Sequence, residues 1–81
     1  MYGKVTVTDT ATLVCSKGGG GPETVLRNTG SVACYVGSDD AVTDADGMLL
    51  EPGDVMGFFG DCAVYAITSS STTTLSFFKA G

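Results

Sequence analysis

Arg27-Asn28-Thr29-Gly30-Ser31-Val32-Ala33-Cys34-Tyr35-Val36-Gly37 is a turn followed by the most continuous β-type run in the chain. Asn28 and Thr29 suit the central positions of a type I turn, and Gly30 can take the positive φ that a three-residue hairpin with a bulge requires. The local chemistry therefore predicts a hairpin, with Glu23 to Arg27 as the outgoing strand and Ser31 to Gly37 as the return.

Working outward, short β-type segments continue in both directions. Gly3 to Thr8 alternates Val5 and Val7 with Lys4, Thr6 and Thr8, the period of a half-buried strand. Asp9-Thr10 reads as a tight turn and Ala11 to Ser16 as the next strand, so the two are expected to pair as an N-terminal hairpin. Downstream, Gly47 to Leu50, Val55 to Gly60, Cys62 to Thr68 and Thr73 to Lys79 read as further strands. Glu51-Pro52-Gly53-Asp54 reads as a turn, with proline setting φ at one corner and glycine free for the next. No run at helical spacing exceeds one turn. The sum is an all-β fold, a small antiparallel β-sandwich of jelly-roll type with about eight short strands.

The expected organisation is a single β-domain over residues 1–81. Residues 1–17 form an N-terminal hairpin or arm, the glycine-rich stretch 18–22 a hinge, and 23–81 the sandwich body. Four consecutive glycines would let the arm reach a neighbouring subunit. A phosphate-cradling loop is disfavoured there, since neither Gly-Lys-Ser/Thr nor a helix follows.

Three segments are apolar on both parities: Val32 to Val36, Val55 to Phe59 and Cys62 to Ile67. A strand covering one core needs only alternate apolar residues, so something must cover the second face. On one parity Val32, Cys34, Val36, Val64 and Ala66 point inward, and Tyr35, Tyr65 and Ile67 face a partner; the opposite parity is left open. Phe58, Val5 and Val7 complete the expected oligomer or capsid interface. Tyrosine suits such a place because it joins a large apolar body to a polar tip.

Composition narrows the function. A chain this short buries only about 60 to 65% of its unfolded surface, so association is an expected source of stability. The net charge of −5, with Lys4, Lys17, Arg27 and Lys79 as the only cations, argues against nucleic acid and anionic membranes as partners. No apolar run is long enough to span a bilayer and no signal-peptide core is present, which predicts a soluble chain made in the cytoplasm. Cys15, Cys34 and Cys62 follow no metal-ligand spacing, and there is no histidine. They read as small buried hydrophobes, with a Cys34–Cys62 bridge as the alternative. Neither a cofactor nor a metal is expected.

The acidic segment from Ser38 to Asp46 invites a calcium reading through Asp44-x-Asp46-Gly47, but aligning Gly47 with the calcium-loop glycine puts Val42 and Gly53 at ligand positions. A solvated surface loop is the expectation. Without histidine, general acid–base chemistry lacks its commonest agent. Ser76-Phe77-Phe78-Lys79 fits a Ser-x-x-Lys spacing, yet on a strand rather than the helical turn that chemistry needs. No catalytic residue, and no enzyme activity, is expected.

Val25 to Gly37, followed by Val42-Thr43, Gly47-Met48-Leu49-Leu50-Glu51-Pro52-Gly53-Asp54 and Val64-Tyr65-Ala66-Ile67-Thr68, resembles small β-sandwich virion proteins of tailed bacteriophages. These carry an Asn-Thr-Gly-Ser hairpin, a Tyr-Leu/Val-Gly strand and a Leu-Tyr-Ala strand. The resemblance covers roughly residues 25 to 68 and implies a capsid decoration protein, a homotrimer on the capsid exterior whose partner is the major capsid protein. A tail or head-fibre module is the neighbouring expectation. A carbohydrate- or cation-binding domain using Asp39 to Asp46 comes from a different class.

Overall fold

The structure is a computed structural model that describes residues 1–17, 23–59 and 62–79, and of Phe58 and Phe59 only the backbone. It contains β1 (Tyr2–Val7), β2 (Thr12–Cys15), β3 (Glu23–Asn28), β4 (Cys34–Gly37), β5 (Met48–Leu50), β6 (Val55–Phe59), β7 (Val64–Ile67) and β8 (Thr73–Lys79). One four-stranded sheet has the order β1-β8-β3-β6 and the other β2-β7-β4-β5. Every pairing is antiparallel.

The first strand pairs with the eighth, the second with the seventh, the third with the sixth and the fourth with the fifth. The chain is thus one long two-stranded ribbon wrapped around a core, which is the jelly roll expected from the strand pattern. Pairings of β3 with β8 and of β4 with β7 complete the sheets.

Alternation decides what each strand buries. Val7, Leu26, Cys34, Val36, Leu50, Val64, Ala66 and Leu75 form the core with Val14 and Cys15. The last two are consecutive, and a register shift in β2 between Leu13 and Cys15 lets both face inward. Gly3 faces Phe77 across β1 and β8, and a Cβ there would lie 3.1 Å from the Phe77 ring, so glycine makes room for the aromatic.

Two expected hairpins are not hairpins. β1 and β2 belong to different sheets, as do β3 and β4, and residues 31–33 are a crossing segment outside the strand. Turn residues specify a change of direction but not whether the chain returns to the same sheet. Asn28 specifies the crossing. Its buried side-chain amide donates to the carbonyls of Val32 and Leu50, both at 2.9 Å. Its Oδ1 accepts from Gly30 N at 3.1 Å and from Thr73 Oγ1 at 2.8 Å. Its backbone N donates to Asp54 O at 3.1 Å and its carbonyl accepts from Gly53 N at 2.8 Å. One residue therefore ties β3 to the crossing, to β5 of the other sheet, to the 51–54 turn and to β8.

The 51–54 turn forms as its residues predict. Asp54 N donates to Glu51 O at 2.9 Å, Gly53 has φ 86°, and Glu51 N donates to Asp54 Oδ2. It too links the two sheets, leading from β5 to β6.

β1 is an integral strand rather than an arm, in register with β8 from Tyr2–Phe78 to Val7–Thr73. Val7 is fully buried and Val5 packs against the core, so neither belongs to an outer interface. The hinge assigned to residues 18–22 lies outside the described residues, as does the Phe58 side chain.

The cysteines are free thiols, and the Cys34–Cys62 bridge is not formed. Cys34 lies beside Asn28 at the crossing, 4.0 Å from its amide nitrogen, whereas Cys62 precedes β7 near Cys15 and Lys79 at the opposite end. Lys79 is buried, with its ammonium donating to Ser16 O at 2.8 Å.

Two consequences follow for stability. Asn28→Asp keeps the side chain's shape but turns an oxygen toward the carbonyls of Val32 and Leu50, so urea unfolding should show a loss of about 3 kcal/mol or more. Gly30→Ala should destabilise in the same assay, because a Cβ would collide with Thr73 Oγ1 and lie 2.7 Å from Thr74 N. An unchanged unfolding midpoint for Asn28→Asp would remove the residue from this role.

Burial pushes the Cys34 thiol up to about 11 from 9.0. The unfolded chain then releases this proton before the folded one, so the stabilisation is complete below pH 9 and is lost as pH rises through about 11. Unfolding free energy measured across that window should fall more steeply for the natural protein than for Cys34→Ala. Parallel curves would discount the buried thiol as the source.

Candidate interface on the outer face of the second sheet

The structure selects the first of the two parities. Cys34, Val36, Val64 and Ala66 are buried, while Tyr35, Tyr65 and Ile67 point away from the core and are half-buried. Register brings these three together. Tyr35 lies opposite Ile67 on one side and Leu49 on the other, and Tyr65 lies between Leu13 and Gly37. Leu13 and Leu49 are 44% and 51% exposed. The outer face of β2-β7-β4-β5 is thus a continuous patch of two tyrosines and three aliphatic side chains, with no charged residue at these register positions.

Sequence reasoning missed Leu13 and Leu49. Each belongs to a short edge strand whose facing cannot be assigned until its partner is known. Val32, expected inward on β4, lies in the crossing segment, half-buried, with its carbonyl accepting from Asn28.

Part of the face is covered by the chain itself. Val42, from the acidic loop, is 7% exposed, and a Cβ on Gly37 would lie 2.7 Å from its Cβ and Cγ2 atoms. Gly47 is pressed against the sheet in the same way, 2.7 Å from the Tyr35 Cβ by the same measure. The 38–47 loop therefore folds back over the end of the sheet, and Gly37 and Gly47 are glycines because any side chain would lift it off. The expectation of a fully solvated loop is corrected at Val42.

The loop is held internally. Asp46 Oδ1 accepts from Thr43 N and Thr43 Oγ1, both at 2.8 Å, and these bonds draw its carboxyl below the usual carboxylate range. Asp39 Oδ1 accepts from Ala41 N at 3.0 Å. Gly47 N donates to Thr43 O at 2.9 Å. Among the described residues, no three histidine, cysteine or acidic side chains converge as a metal site would require. Of the carboxylates suggested for calcium, Asp39 and Asp46 are instead used to shape the loop.

The opposite sheet carries a different surface. Across β1, β8 and β3 its outer positions run Tyr2–Phe78–Val25 and then Lys4–Ser76–Arg27. Tyr2 is 80% exposed and Phe78 57%, and the two rows line a shallow depression of about 330 Å³. Ser76 lies on this face, whereas Lys79 points into the core toward Ser16. The Ser-x-x-Lys spacing therefore places its two members on opposite sides of one strand.

No known protein family, curated protein or solved structure is matched by this chain.

Anchoring of the loop can be measured. Val42→Ser removes a buried aliphatic group at a cost of about 1 to 2 kcal/mol. It should also raise the rate of proteolytic cleavage within residues 38–47 severalfold, because Val42 is the buried apolar side chain by which the loop packs on the sheet. An unaltered cleavage rate would show that the loop is held without Val42.

Proposed function

We propose that this protein is a virion structural component of a tailed bacteriophage. Made in the host cytoplasm, it acts as a decoration protein that sits as a homotrimer on the outer surface of the head and ties neighbouring copies of the major capsid protein together. The observation that carries this reading is the uncharged outer face formed by Leu13, Tyr35, Leu49, Tyr65 and Ile67 on a small jelly roll. Apolar and aromatic area of this kind marks a surface that meets another protein. The resemblance of residues 25 to 68 to phage virion proteins supplies the partner, since fold alone does not assign one. The acidic balance of the chain, at −5, is consistent with a protein rather than nucleic acid as that partner.

The mechanism is burial repeated over many sites. A contact of about 800 Å² per partner, at roughly 25 cal/mol per Å² for its apolar part, exceeds the cost of association by a modest margin. Copied across a shell, a modest term per site resists expansion and subunit loss. Half-buried tyrosines suit this role because little side-chain freedom remains to be lost.

Fractionating virions of the phage that encodes the chain tests the reading directly. The protein should accompany full heads, and heads carrying Tyr35→Asp or Ile67→Asp protein should retain at least about tenfold less of it with little change in melting temperature. Recovery with isolated tails alone would assign it to the tail or its fibres, and its absence from all particles would overturn a virion role.

A further inference from the structure

The depression on the outer face of β1-β8-β3 and the 38–47 loop are complementary to one another. Lys4 and Arg27 flank Ser76 in one row, two strands apart, and among the described residues neither cation has an ion-pair partner. Beside them, Tyr2 and Phe78 present exposed aromatic rings separated from β6 by Val25. A guanidinium, an ammonium and a hydroxyl in line form a receptor for carboxylates, and the aromatic rings accept small apolar groups next to them.

The loop offers that combination. Asp39 and Asp46 are occupied by internal hydrogen bonds, whereas Asp40 and Asp44 are exposed and have no partner among the described residues. Each is followed by an exposed alanine, Ala41 and Ala45. Val42 pins the loop onto Gly37, so it is shaped before it meets anything and loses little freedom on docking. Within one molecule the two surfaces cannot meet, since the loop joins β4 to β5 of one sheet and folds over that sheet's outer face, while the basic row lies on the outer face of the other.

We propose that the occupant of the Lys4–Arg27 depression is the Asp40–Asp44 loop of a second copy of this chain. The contact is head-to-tail, with a different surface used on each partner, and closes into a ring when the rotation between copies allows it. This assignment rests on the reading of the protein as a homo-oligomer given above. It deepens that reading by giving self-association to the charged surfaces and leaving the uncharged tyrosine face free for the shell. Glu23, also on the basic face but beyond Val25, sets the polarity of docking by repelling the acidic loop from that end.

Sedimentation equilibrium of the isolated protein at low salt tests this without any capsid. The natural protein should self-associate, and raising ionic strength from about 0.05 to 0.5 M should weaken it, because screening then acts over a few ångströms. Lys4→Glu with Arg27→Glu, and separately Asp40→Lys with Asp44→Lys, should each weaken association by at least about tenfold. Combining all four substitutions in one chain should restore it to within about threefold of the natural value, since the complementarity is then inverted rather than lost. The second pair brings net charge toward zero, so nonspecific association would increase rather than fall. A natural protein that remains monomeric, a pair that associates unchanged, or a fourfold variant that stays dissociated while retaining its melting temperature would each overturn the proposal. Binding to heads, measured separately, distinguishes this outcome from failure of the virion reading.

Discussion

The buried amide of Asn28 is the constraint on which the rest of this fold depends. A jelly roll must carry its chain from one sheet to the other at every turn of the ribbon, and each crossing leaves backbone groups that no strand can satisfy. Asn28 resolves this for several segments at once. Its two amide hydrogens go to carbonyls of the crossing and of β5, and its oxygen takes hydrogens from Gly30 and Thr73. An amide is suited to this because it presents two donors and two acceptor positions, and here all four are used. Alternative pairings at that end would bury this group unsatisfied, so the residue defines the crossing as well as stabilising it.

Much of the architecture is legible in the sequence, and the gaps have a common cause. All eight strands can be found from alternation or from short apolar runs set between turn residues, and β8 is bounded as expected at Thr73 and Lys79. The sequence offers two parities for β4 and β7, and only the structure decides that Cys34, Val36, Val64 and Ala66 face inward and Tyr35, Tyr65 and Ile67 outward. What cannot be read is which strand lies beside which. Asn-Thr-Gly has the same local chemistry in a hairpin as in a crossing, and the groups that decide between them, Leu50 and Thr73, lie 22 and 45 residues away. The same blindness placed Val5 and Val7 on an interface. Their alternation is real, but the face they occupy is known only once β8 is seen beside β1.

The surplus of apolar residues on both parities has two physical answers. Some of it is absorbed internally, through the register shift that turns both Val14 and Cys15 inward and through the loop that lays Val42 over Gly37. The remainder is the patch containing Tyr35, Tyr65 and Ile67, which the 38–47 loop covers only at one end and which stays half-buried. The two sheets consequently differ in chemistry on their outer sides, one presenting an uncharged tyrosine patch bordered by an acidic loop and the other carrying a row of cations. A domain of this size with two dissimilar faces has the means to hold two different neighbours.

The nested pairing of strands also dictates an order in time. β4 and β5 are joined by the 38–47 loop, while β1 must find β8 across almost the whole chain. Because closing long loops is entropically unfavourable until inner contacts exist, the ribbon is expected to zip from its acidic tip outward. At ordinary rates of synthesis, β1 waits on the order of several seconds for residues 73 to 79 to leave the ribosome. During that interval it is an unpaired strand, and Lys4 at its middle gives it the charge that discourages pairing with the wrong chain. A residue placed on an outer face of the finished protein thus also protects the molecule while it is being made.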